Sequence, residues 1–93
     1  MAHLFIVGQP KYQFQTYCPT RSYNDRYKLH RDVGKVKLAV RNYCQYSEAY
    51  KTSQGSMWIW SWNPKIEDWY RRLEIKPTDK YEDIKWPKEY GDS

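Results

Sequence analysis

Histidine and cysteine, the side chains used most often for catalysis and metal binding, are few in this chain and far apart. Neither His3 nor His30 lies in a motif with an acid or a nucleophile. Cys18 and Cys44 do not have the short spacing that is typical of zinc ligands. The sequence therefore predicts no metal, no cofactor and no catalytic histidine or cysteine.

Adjacent carboxylates occur at Glu67 and Asp68 and again at Glu82 and Asp83. On an extended strand such neighbours point to opposite faces, so they seldom act together as acid and base. The chain also has none of the phosphate-binding loops, nucleophile elbows or zinc-protease motifs that identify common enzymes. We therefore expect a protein without catalytic activity.

The chemistry that remains is a run of basic residues interleaved with tyrosines. The net charge is +5, and the part from Met1 to Trp62 holds nine Lys or Arg residues against three Asp or Glu. Arg21 belongs to the same basic run. The residues predicted to contact a partner are Tyr23, Arg26, Tyr27, Lys28, Arg31, Lys35, Lys37 and Arg41.

Two kinds of partner fit such a basic, aromatic-rich face. Lys and Arg neutralise phosphates and tyrosine rings stack on unpaired bases, which suits single-stranded RNA or DNA. Tyr, Trp and Arg are also enriched in protein interfaces, so another protein or a protein–nucleic acid complex fits as well. A merely solvated basic side is the third interpretation, since charge alone does not identify a ligand.

The sequence also predicts where the protein acts. Its opening residues lack the charged start of a secretory signal, and no stretch approaches the roughly 20 apolar residues that span a bilayer. We therefore expect reduced cysteines, a cytoplasmic location and no membrane partner. Self-association into a homodimer through tryptophans left at the surface is an open alternative.

The strongest helical pattern covers residues 32–46. Asp32 is a suitable N-cap, and Val33, Val36, Val40 and Tyr43 recur at helical spacing to form one apolar stripe. This pattern predicts a single helix that packs on a sheet.

Shorter patterns predict the remaining elements of the first half. Residues 3–7 and 11–17 are typical of strands, and a third short strand is indicated at 27–29. The polar stretches 18–25 and 45–56 are predicted to be loops, the second being the longest and most flexible.

Residues 57–62 show strict alternation with Trp58, Trp60 and Trp62 on one face of a strand, which we expect to be the core face. Residues 64–75 fit either a helix or the returning strand of a hairpin. The hairpin is preferred because a strand rich in tryptophan needs a neighbour.

In that hairpin Trp69, Leu73 and Ile75 would share one face with Arg71. The fold class is therefore α+β, a small, mostly antiparallel sheet with one helix packed on a face. Residues 1–76 form the predicted domain, and 77–93 form a tail that docks on it through Ile84 and Trp86 while its last five or six residues fray.

Four short motifs recur together between residues 26 and 76: Tyr27-Lys28, the segment from Val33 to Lys37, Trp58-Ile59-Trp60, and the segment from Trp69 to Ile75. In this combination residues 26–76 resemble small accessory proteins of tailed phages. The resemblance implies a hairpin behind a helix and a protein that binds and inhibits a host factor in the host cytoplasm. It implies no catalytic residues.

Overall fold

The computed structural model describes residues 12–91, apart from the side chains of Arg71 and Glu89. The described strands form one antiparallel sheet in the order β2-β1-β3-β4, with two helices. The predicted strand at 3–7 lies outside the described residues. The elements are β1 (Phe14–Tyr17), β2 (Tyr27–His30), α1 (Val33–Cys44), α2 (Glu48–Gln54), β3 (Met57–Asn63) and β4 (Asp68–Ile75), with 3-10 turns at Tyr23–Asp25, Tyr81–Asp83 and Lys88–Tyr90. The predicted α+β class is confirmed.

Helix α1 forms where the apolar stripe predicts it. Asp32 precedes it in an extended conformation, and its Oδ1 accepts a hydrogen bond from the Lys35 backbone N–H at 3.0 Å. Val36, Ala39 and Tyr43 are buried on the side that faces the sheet. No helix among residues 12–91 has the length and apolarity needed to cross a bilayer.

The cap at Asp32 makes a testable contribution to stability. Asp32→Ala removes the acceptor of a first-turn amide and should lower the free energy of unfolding by about 1 kcal/mol. Asp32→Asn is the matched control, because asparagine caps as well as aspartate and should leave stability within about 0.5 kcal/mol. Urea unfolding of both variants measures the difference. Equal stability of the two would contradict the role of the cap.

The polar stretch at 45–56 is not a flexible loop as predicted; it contains helix α2. Ser47 caps this helix, its Oγ accepting a bond from Tyr50 N–H at 3.2 Å. The Lys51 side chain is buried and donates to the Cys44 carbonyl at 3.3 Å. Gly55, at φ 100°, ends the helix, and its carbonyl oxygen accepts a hydrogen bond from the Tyr43 hydroxyl at 2.9 Å. These contacts with α1 order a segment whose composition is typical of a loop.

The hairpin of β3 and β4 is confirmed, but the face of β3 that meets the core is the opposite of the predicted one. Met57, Ile59 and Ser61 are buried, whereas Trp58, Trp60 and Trp62 are half-buried on the other face. The period-two pattern places the tryptophans together but does not identify the face that receives the helix. Pairing with β1 decides this, because Ile59 lies opposite Thr16 on the side where α1 packs.

A register shift changes which residues of β4 share a face. Leu73 lies opposite Ile59, but Tyr70 lies opposite Ser61, so β4 has one extra residue between them. Trp69 consequently lies opposite Trp62, with ring centroids 5.2 Å apart. The prediction that Trp69 shares a face with Leu73 is therefore wrong.

The C-terminal segment completes the core. Tyr90 is fully buried, and its ring lies 5.1 Å from Phe14 and 5.3 Å from Trp86. Tyr81, Ile84 and Trp86 are partly buried against the same core. The prediction that the last five or six residues fray is wrong for Tyr90, because this ring fills space between β1 and the rest of the segment.

Candidate anion-binding groove

A basic cavity of about 440 Å³ lies where β2 meets the start of α1. Strand β2 is an edge of the described sheet, and α1 packs against it. The basic side chains at the cavity are Arg21, Lys28, Arg31 and Lys35, and Asp32 is the one acidic residue among the described residues that line it. Positive charge therefore prevails there.

Three neighbouring elements bring these side chains together. Lys28 lies opposite Thr16 in the β1–β2 ladder, which places it on the sheet face that receives the helix. Arg31 follows β2 directly, and its guanidinium lies 5.4 Å from the centre of the Tyr12 ring. Lys35 lies in the first turn of α1. The turn from strand to helix thus converts a linear basic run into a cluster.

Arg21 is the residue that the site prediction omitted. Its Nη1 is buried and has no hydrogen-bond partner among the described residues. A shielded donor without an acceptor costs about 1–3 kcal/mol, and more when it is charged. Arg21 belongs to the basic run, but no local pattern separates it from the other arginines.

A second cavity, of about 420 Å³, lies farther along α1 and shares part of its lining with the first. Arg21 and Asn42 border both cavities. The second cavity is also lined by Gln45 and Tyr46, beyond the end of the helix. We call the two cavities together the α1 groove. It is cationic near Lys35 and neutral, with amides and a ring, near Tyr46.

His30 lies in the basic half of the groove and is neutral at pH 7. Its Nε2 is 2.9 Å from the Thr16 hydroxyl, a bond that either tautomer satisfies. Burial, followed by the nearby positive charges of Arg21 and Lys28, lowers the pKa of His30 to about 4, against a smaller opposing effect of Asp32. The imidazole therefore adds no charge to the groove under ordinary conditions.

The lowered pKa of His30 makes stability depend on pH. A folded-state pKa of about 4, below the unfolded value of 6.5, means that His30 contributes stability above pH 6.5 that is lost as the pH falls through about 4. NMR titration should show the ring titrating near 4, and His30→Gln should flatten this part of the stability curve. Titration near 6.5 would contradict the burial and charges assigned to the ring.

Five of the eight predicted contact residues lie elsewhere than the basic cavity. Tyr27 is on the opposite face of the sheet, paired with Tyr17 at 4.8 Å between ring centroids. Tyr23 is 82% exposed in the β1–β2 connection, with the Arg26 guanidinium 5.7 Å from its ring centre. These positions separate them from Lys28, Arg31 and Lys35.

Lys37 and Arg41 lie on the other flank of α1. The Lys37 ammonium is 5.3 Å from the Trp86 ring centre, and the Arg41 guanidinium is 5.8 Å from that of Tyr81. Both cations pack on the C-terminal segment. The expectation that all eight residues share one face is therefore wrong, because a helix sends residues two apart to different sides.

The described residues show no assembled metal site. No group of three or more His, Cys, Asp or Glu within 12–91 is placed to hold an ion. Cys18 and Cys44 are free thiols, and burial raises the pKa of Cys44, which keeps it protonated. Cys18 Sγ lies 3.2 Å from the Thr20 hydroxyl.

Comparison of this chain with protein-family models, curated proteins and solved structures yields no match.

Proposed function

We propose that this protein is a non-catalytic binding protein of the phage type, which holds an anionic part of a host macromolecule in the α1 groove and thereby inhibits or redirects it. The observation that carries the proposal is the cluster of Arg21, Lys28, Arg31 and Lys35 around one cavity, opposed only by Asp32 among the described lining residues. The resemblance of residues 26–76 to phage accessory proteins supports a host target.

The clustering of four cations around one cavity favours binding of an anion more than the same cations would if they were isolated on the surface. Single exposed ion pairs contribute about 0–1 kcal/mol, but several cations around a partly enclosed cavity act together on one ligand. Arg21 and Arg31 add planar guanidinium groups, which bind phosphate or carboxylate through two parallel hydrogen bonds.

The same residues support binding without catalysis. The Asp32 carboxylate already accepts a hydrogen bond from the Lys35 backbone N–H as the cap of α1. The hydrogen-bond partner of the His30 ring is the Thr16 hydroxyl and not a carboxylate. General acid–base catalysis needs a group that exchanges a proton near the working pH, whereas the pKa of His30 is lowered to about 4.

A lysate experiment tests the proposal. Immobilised protein should retain a macromolecule from bacterial lysate, and Lys35→Glu should abolish the retention because it reverses one charge in the cavity. Lys76→Glu is the matched control, since Lys76 is exposed after β4 and does not border the groove. Retention of the same macromolecule by wild type and Lys35→Glu would overturn the proposal.

Asp32→Asn is expected to act in the opposite direction. This change keeps the helix cap but removes the one carboxylate among the described residues of the basic cavity, so it should strengthen retention several-fold. Retention measured at low and moderate salt should show the gain mainly at low salt. Unchanged retention would mean that the ligand does not reach the cavity.

A further inference from the structure

We infer that the ligand of the α1 groove is a single-stranded nucleic acid, held by its phosphates at the basic half and by an unpaired base against Tyr46. This inference rests on the proposed function and names the chemical class of its partner. It follows from the unlike linings of two neighbouring cavities that Arg21 and Asn42 both border.

The basic half matches a phosphate backbone. Lys28 and Lys35 enter from the strand and the helix, so they approach a ligand in the cavity from different elements. Arg21 lies where the two cavities join, with one N–H buried and without an acceptor among the described residues. A phosphate at this junction would lie beside the Arg21 side chain and be positioned between the two halves.

The other half matches a base. Tyr46 is 45% exposed, and its ring lies 5.5 Å from that of Tyr50, which holds it in place beside the cavity. Asn42 and Gln45 line the same cavity with amide groups. Amides donate to and accept from base edges, and a tyrosine ring stacks on any base.

The length and neutrality of this half favour a nucleic acid over an acidic peptide. From Lys35 to Cys44 the helix rise of about 1.5 Å per residue gives roughly 14 Å, and Tyr46 lies two residues farther on, so the span is enough for a few nucleotides. An acidic peptide would also use the cations, and its backbone would bond the two amides, but Asp and Glu side chains have no flat ring to stack on Tyr46. A duplex keeps its bases stacked away from Tyr46, so the strand must be single.

The test uses binding of a labelled single strand of about eight nucleotides to the full chain at about 50 mM salt. Tyr46→Ala should weaken binding about tenfold, because one stacked base contributes roughly 1–3 kcal/mol. Tyr70→Ala, at an exposed tyrosine on β4, is the matched control and should bind as the wild type does. An abasic strand of the same length should bind wild type and Tyr46→Ala equally.

The outcomes separate this inference from the proposed function. Equal binding of normal and abasic strands, or no effect of Tyr46→Ala, would overturn the base contact while the anion site stands, provided that Lys35→Glu weakens both. Tighter binding of a glutamate-rich peptide of equal charge would overturn the inference that the ligand is a nucleic acid and would indicate an acidic protein as the partner. Binding to none of these probes would overturn the inference, and the lysate experiment would then decide the function.

Discussion

Tyr90→Ala should lower the free energy of unfolding by about 3–5 kcal/mol, the range observed when large buried aromatic rings are truncated. Tyr90 is fully buried, and its ring contacts Phe14 and Trp86. Removing it opens a cavity between β1 and the C-terminal segment. Because small domains have a total stability of about 5–15 kcal/mol, we expect a large fall in the urea midpoint.

Lys88→Ala is the control for Tyr90→Ala. Lys88 belongs to the same 3-10 turn but is exposed, so its truncation should change stability by less than about 0.5 kcal/mol. Equal effects of the two changes would show that the ring does not belong to the core. A fall in helical circular dichroism with Tyr90→Ala at moderate temperature would report the same loss.

The double change Lys28→Glu with Lys35→Glu should weaken binding of a single-stranded oligonucleotide about 100-fold at about 50 mM salt. Each phosphate neutralised on a single strand contributes about 0.7 to the slope of log affinity against log salt, so losing two should flatten the slope by about 1.4. Both lysines lie at the same cavity, so their effects on one ligand should be coupled.

The control for this pair is Lys65→Glu with Lys76→Glu. Both residues are exposed and neither borders the groove, yet this double change alters the net charge by the same amount. It should lower affinity far less and leave the salt slope nearly unchanged. If both double variants weaken binding equally, net charge governs the attraction and the groove is not the site.

Local signals predict the elements that are confirmed. The cap at Asp32 and the stripe of Val36 and Tyr43 specify α1 through contacts within a few residues of each other. The alternation of Met57 to Trp62 and the nearby apolar residues of β4 likewise predict a hairpin. Each of these patterns involves residues close together in the sequence, so the element can be predicted from the sequence alone.

Contacts between elements account for the features that the sequence patterns do not predict. The extra residue in β4 turns Trp69 toward Trp62, and no feature of the strand alone indicates that it is there. Helix α2 is held by contacts of Lys51 and Tyr43 with other elements, which its polar composition does not indicate. In both cases the stabilising partner belongs to a neighbouring element of the fold.

The candidate site divides in the same way. The amino-acid sequence by itself determined the basic run, the helix that begins at Asp32 and the alternating strand that begins at Met57, because each depends on neighbours along the chain. Only the tertiary structure decided that Arg21 joins Lys28 and Lys35, while Lys37 turns to Trp86. The physical reason is that neighbouring residues on a helix point in different directions. Which neighbour each charge meets, the cavity beside β2 or the C-terminal segment, depends on how these segments pack on α1.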